Sequence, residues 1–309
     1  MIFGEKARLG AAVLAFGSFS ALAGVTHAAD VKRTPTPAVE EAPGVPGEDI
    51  FGFTSPTDLG KAGDHGVALE NDFRIGKRDG TYGVLTQKLE YSRTITDNFA
   101  AAISLFGAYH NMKNVTVQPV DRTGYNFDGV SAEFAYKLVE RSLSNPFGVT
   151  IRLEPRWSRI DGPSGIHAQG FSAEAKLLID AVLIPDKLYW AANFNWAPGV
   201  QEVVGMKDQM ARSSTTNIST ALTYAFSDKV MVGVEAKYVT SFGDYFFKNK
   251  QGDALFFGPT LFWKITDKIA FNAVYLPQLS GRAAATPGLR LDLDNFERSI
   301  FRAKLAVAF

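Results

Sequence analysis

Few side chains in this sequence are of the kinds that form covalent intermediates or hold metals. There is no cysteine, which excludes disulfide frameworks and thiolate metal sites. Beyond the N-terminal region the histidines are His65, His110 and His167. His65 falls in a leader, while His110 and His167 border long connections and could approach one another. A loop histidine is more often simply solvated than catalytic, so neither a metal nor any other cofactor is expected.

What the sequence does offer is charge at alternate positions. Glu70, Asp72, Arg74, Lys88, Glu90, Glu133, Lys137, Arg152, Glu154, Arg156, Glu174, Lys176, Asp180, Glu235, Lys237, Lys264, Arg302 and Lys304 all fall on one face of their segments. Buried ions persist only when paired, so such a face either braces a structure or lines a narrow aqueous path. Lys plus Arg and Asp plus Glu each number 32. With no basic excess, nucleic acid is not an expected partner.

The elements that carry these ions read as strands, because the period is two and not the helical 3.6. In the last segment Phe301, Ala303, Leu305, Val307 and Phe309 share one face, and Arg302 and Lys304 the other. Similar segments recur at 66–75, 82–94, 98–110, 125–139, 148–158, 169–184, 187–198, 214–226, 229–242, 254–265, 268–278 and 298–309. Tight turns are expected at Thr96-Asp97-Asn98, Asn145-Pro146, Pro185-Asp186, Ser227-Asp228 and Thr266-Asp267. Longer connections alternate with them, near 111–124, 159–168, 199–213, 243–253 and 279–297, with a shorter one at 76–81. Short turns on one side, long loops on the other and both termini on the short side are the layout of an outer-membrane barrel. The expected fold is therefore all-β, a closed antiparallel transmembrane β-barrel of about twelve strands.

The face opposite the ions supports lipid outside. It carries Phe99, Ile103, Leu105, Phe134, Leu153, Leu177, Phe194, Val234, Leu261 and Leu305 with almost no charge. Tyr109, Trp157, Phe171, Trp196, Tyr238 and Tyr275 lie toward the long-loop ends, and Tyr91, Tyr136, Trp190, Tyr224 and Trp263 toward the short turns, so two aromatic girdles are expected. An open sheet edge would leave backbone groups unpaired in lipid. Strands one and twelve should therefore pair, which would bring Arg302 and Lys304 to the wall that carries Glu70 and Asp72.

The chain divides into a signal peptide at 1–28, a Pro-rich periplasmic leader at 29–65 and the barrel at 66–309. Lys6 and Arg8 form a basic start, Leu9 to Val25 is uncharged, and Thr26-His27-Ala28 precedes the expected cut. That run, roughly 17 residues, is short for a span of about 20. The leader opens with Thr34-Pro35-Thr36-Pro37 and buries little, so a mobile or extended segment is expected. Its one apolar knot, Ile50-Phe51-Gly52-Phe53, either docks on the barrel mouth or stays undocked. Phe309 resembles the terminal aromatic read by the outer-membrane assembly machinery. That machinery and outer-membrane lipids are the expected partners.

Gly52-Phe53-Thr54, Leu69-Glu70-Asn71, Gly76-Lys77-Arg78-Asp79-Gly80, Trp190-Ala191-Ala192-Asn193 and Leu255-Phe256-Phe257-Gly258-Pro259-Thr260-Leu261 resemble uncharacterised Gram-negative outer-membrane barrels. These are often grouped with transporter-like proteins of the phenol-degradation meta-pathway type. The resemblance covers about 50–309 and implies a channel or transporter with no catalytic residues. A narrower similarity, at Glu70-Asn71-Asp72-Phe73 and Gly80-Thr81-Tyr82-Gly83, is to the early motif of lipid A deacylase barrels, in which Asn71, Asp72 and Thr81 would hold or assist a metal. No matching downstream histidine on a strand accompanies it. Three readings follow: a narrow channel for small hydrophilic or aromatic solutes, an occluded structural barrel and, third, a lipid A deacylase-like envelope enzyme.

Overall fold

A computed structural model describes residues 50–142 and 144–309. The expected signal peptide and most of the leader lie outside the described residues. The rest forms a closed antiparallel barrel in which each strand pairs with its sequence neighbours and β1 pairs with β12. The strands are β1 (His65–Ile75), β2 (Thr81–Thr96), β3 (Phe99–Lys113), β4 (Arg122–Val139), β5 (Phe147–Ile160) and β6 (His167–Ile184). They continue with β7 (Leu188–Val203), β8 (Met206–Ala225), β9 (Val230–Phe242), β10 (Lys250–Lys264), β11 (Ile269–Ala283) and β12 (Ser299–Ala308). Closure follows from the solvent, since lipid offers no partner for an unpaired edge.

Alternation sorts the two faces. Ile103 at 63% and Leu105 at 53% exposure stand outside, whereas the intervening Ser104 is buried at 3%. Leu69 faces Leu305 and Phe73 faces Phe301 across the closing seam, while the inward register sets Glu70 opposite Lys304 and Asp72 opposite Arg302. At the periplasmic end of that seam the Phe309 amide donates to the His65 carbonyl at 3.0 Å, and the two rings stack with centroids 5.7 Å apart.

Two connections differ from expectation. The segment 199–213 is no loop: β7 and β8 run on as a hairpin, with Val200 opposite Arg212 and Glu202 opposite Met210. Gly205, at φ 79°, supplies the turn, and Pro198 and Gly199 sit inside a continuous ladder. At 279–297, β11 extends to Ala283 before the chain leaves the sheet. The remainder folds back over the barrel mouth and buries Asp292 and Leu293. Gly80 is needed where the first extracellular turn closes: its φ is 65°, and a Cβ there would press into the carbonyls of Lys113 and Asn114.

Candidate functional site: the barrel lumen

The inward faces enclose a cavity of about 580 Å³. Of the ions expected to line the lumen, Glu70, Asp72, Arg74, Lys88, Glu90, Glu133, Arg152, Glu154, Arg156, Glu174, Lys176, Lys237, Arg302 and Lys304 do so. Lys137, Asp180, Glu235 and Lys264 do not line this cavity. Lys137 is buried beside Glu140 at 3.2 Å, and Lys264 is half-exposed at the periplasmic rim, 2.8 Å from Asp267 of the turn. Asp180 and Glu235 are covered by the leader, as described below. The period of two assigns a face but not a height, so it does not decide which of these ions reach the cavity.

The lining ions are bound to one another. Lys176 is the hub of one group, 3.2 Å from Glu133, 3.1 Å from Glu154 and 3.2 Å from Glu174. Arg152 reaches Glu133 at 3.2 Å, and Lys88 reaches Glu90 at 2.7 Å and Glu154 at 3.4 Å. These contacts brace β2, β4, β5 and β6 across the lumen. A second group closes the seam: Arg302 donates through Nε and Nη2 to the two carboxylate oxygens of Asp72 at 2.6 and 2.7 Å, and lies 3.0 Å from Glu70. Such fork-to-fork pairing fixes geometry as well as charge. Asp128, which sequence reasoning missed, pairs with Arg156, and the Arg156 guanidinium lies 4.0 Å from the Phe106 ring centroid.

The floor of the cavity is the chain's own N-terminal segment. Residues 50–59 run inside the barrel and return to the periplasmic rim, where β1 begins. Ile50 and Phe51 are buried among Tyr189, Ala191, Ala221, Met231 and Phe262. The Phe51 carbonyl accepts from Asn272. The amide of Phe53 and the hydroxyl of Thr54 both donate to Glu235, at 2.9 Å each. Thr57 donates to Asp180 through its amide at 2.7 Å and its hydroxyl at 2.9 Å, and its carbonyl accepts from Thr150 at 2.7 Å. Arg141 completes this corner by pairing with both Asp58 and Asp180. Those two carboxylates hold the guanidinium charged and push its pKa up against the opposing effect of burial. The apex is Phe53, whose ring centroid lies 4.4 Å from Lys237 Nζ and 4.3 Å from the Arg302 guanidinium. Gly52 permits the approach, since a Cβ would collide with Glu235 and come within 2.7 Å of Val274 Cβ.

Loops form the roof. Gly162 and Glu297 reach the cavity from the β5–β6 and β11–β12 connections. The Gly162 carbonyl lies 2.9 Å from His110 Nε2 and accepts from Arg74 at 3.3 Å. Lys77, almost fully buried, donates to the Phe296 carbonyl at 2.9 Å and lies 3.4 Å from Glu297. Burial pushes the Lys77 ammonium pKa down, and the Glu297 carboxylate opposes that shift.

The residues singled out for enzymatic chemistry are dispersed. Asn71 shares the outer face with Gln87, whose amide donates to it at 2.8 Å, while Asp72 on the inner face is held by Arg302. His110 is buried under Gly162, His167 begins β6 and His65 stacks at the seam. Among the described residues no group of three or more His, Asp or Glu is arranged to hold a metal ion.

The chain's architecture is similar to that of solved outer-membrane barrels. The COG4313 outer membrane channel from Pseudomonas putida F1 shares 10% sequence identity at a TM-score of 0.55, over 82% of this chain and 98% of that one. The Ralstonia pickettii toluene transporter TbuX is a looser match, 11% identical at a TM-score of 0.41, over 81% of this chain and 90% of that one. At such identities the likeness is one of fold, that of a closed outer-membrane β-barrel. No curated protein matches the sequence. A profile of DUF6662, a family of unknown function, matches residues 43–309, and the chain belongs to that family.

Proposed function

We propose that this barrel is a narrow channel for small hydrophilic or aromatic solutes, captured with its own N-terminal segment across the periplasmic exit. The observation that carries the reading is the 580 Å³ cavity, lined by ions and bounded below by residues 52–55. A barrel with only a structural role has no need of space at its centre, since packed side chains would brace it better. The work proposed is passage and not catalysis.

The occluded structural barrel is favoured by one feature, the dense pairing of lumenal ions around Lys176. Planar-bilayer recording separates the two readings. The wild-type barrel and a variant lacking residues 50–57 are compared. Conductance that rises in the deletion variant supports a channel closed by its leader. A correctly folded deletion variant that passes no current refutes the channel and leaves the structural barrel.

A further inference from the structure

The outer wall at the extracellular ends of β9, β10 and β11 carries a cleft of about 440 Å³ that the channel reading does not use. Its direction follows from alternation. Lys237 and Val239 line the lumen, so Tyr238 between them faces out. Gly252 and Ala254 are buried, so Asp253 faces out, and Arg282, its partner across the ladder, does so too. Tyr238, Lys250, Asp253, Ser280, Arg282 and Arg290 all border this cleft.

The charge there is unbalanced, unlike that of the lumen. Lys250 is matched by Asp253 at 2.6 Å, but among the described residues Arg282 and Arg290 pair with no carboxylate. Arg290 is held close to the wall, because its carbonyl accepts from the Gly281 amide at 2.8 Å. Like charges crowded on a lipid-facing wall repel, and an anion between them removes that cost. Two guanidinium forks and an ammonium suit the several oxygens of a phosphate better than a single carboxylate. The wall beneath is apolar and exposed, with Tyr238, Tyr275 and Leu279 each about two-fifths accessible. An anion seated there therefore has room for acyl chains directly below it.

We propose that this cleft binds the phosphate of a glycolipid in the outer leaflet, with Arg282 and Arg290 as the principal contacts and Lys250 as the third. The lipid source is preferred to a free ion because the apolar wall adjoins the cationic rim. The inference rests on the outer-membrane location and is independent of the channel reading.

The test uses the full barrel in phosphatidylcholine nanodiscs, with and without bis-phosphorylated lipid A, read by native mass spectrometry and by melting of the heat-modifiable form. The wild type is expected to retain one lipid A and to melt higher with it. Arg282→Gln combined with Arg290→Gln should retain it at least about tenfold more weakly, the scale of losing a charge-assisted hydrogen bond, while melting as the wild type does without lipid. Undiminished binding by that variant overturns the proposal. A second comparison needs no variant: wild-type protein that retains phosphate-free lipid A equally well also overturns it. Inorganic phosphate that raises the melting temperature as much as lipid A does would assign a free-anion site and reject the lipid source.

Discussion

Phe51→Ala tests whether burial of one ring holds the leader inside the barrel. Phe51 is 1% exposed and packs with Ile50 against inward side chains of β7, β8, β9 and β10. Truncating a buried phenylalanine costs about 3–5 kcal/mol, combining lost transfer energy with a cavity that neighbours fill incompletely. Undocked, the ring is solvated, so nearly all of that cost falls on the docked state. At 1.4 kcal/mol per factor of ten, the docked-to-undocked ratio should fall by roughly two to three and a half orders of magnitude. Because the chain has no cysteine, Thr54→Cys provides a unique reporter at a position that is 3% exposed. Its rate of modification by a soluble thiol reagent should rise in the Phe51→Ala background by a comparable factor, provided that opening and closing are fast relative to labelling. Both proteins should keep the heat-modifiable mobility of an intact barrel. If labelling changes less than about threefold while the barrel stays folded, the ring does not hold the segment and the reasoning fails.

Arg302→Met should be strongly destabilising, on the order of 3–5 kcal/mol, because it strands the carboxylates of Asp72 and Glu70 in the lumen; urea unfolding of the refolded barrel measures this, and a change below about 1 kcal/mol would contradict the pairing. Replacing Arg302 and Lys304 together by Glu in the barrel lacking residues 50–57 should shift reversal potentials in a salt gradient toward cation preference, and an unchanged preference would remove both residues from the conducting path. Phe309→Ala deletes the ring stacked on His65 and should lower the yield of assembled barrel in the outer membrane far more than substitutions in the 114–121 loop, so equal yields would count against an assembly role. Asp79 accepts from the Thr116 amide at 2.9 Å and from its hydroxyl, and these hydrogen bonds hold its pKa below the ordinary value of 3.8. This clip between two extracellular loops should be fully present above that pH and be lost as pH falls through the lowered value; amide exchange at Thr116 follows it, and Asp79→Ala should abolish the pH dependence.

Strand number, most strand boundaries apart from the long β7–β8 hairpin and the far end of β11, and the choice of face were legible in the residues, because a period of two is a local property of the chain. The pairing of β1 with β12 was legible too, since lipid tolerates no open edge, and the register then sets Asp72 beside Arg302. The hairpin at 199–213 was hidden because Pro198 and Gly199 suggest a break, whereas continued pairing with β8 outweighs that local signal. The fate of the knot at 50–53 belonged to tertiary structure alone. Its partners lie far away in sequence: 182 residues separate Phe53 from Glu235, and 221 separate Phe51 from Asn272. No local pattern reports such contacts. Alternation could place Glu235 and Asp180 on the inner face, but only the folded chain decided that a returning segment would cover them, because the shape of the space inside a barrel depends on every strand at once.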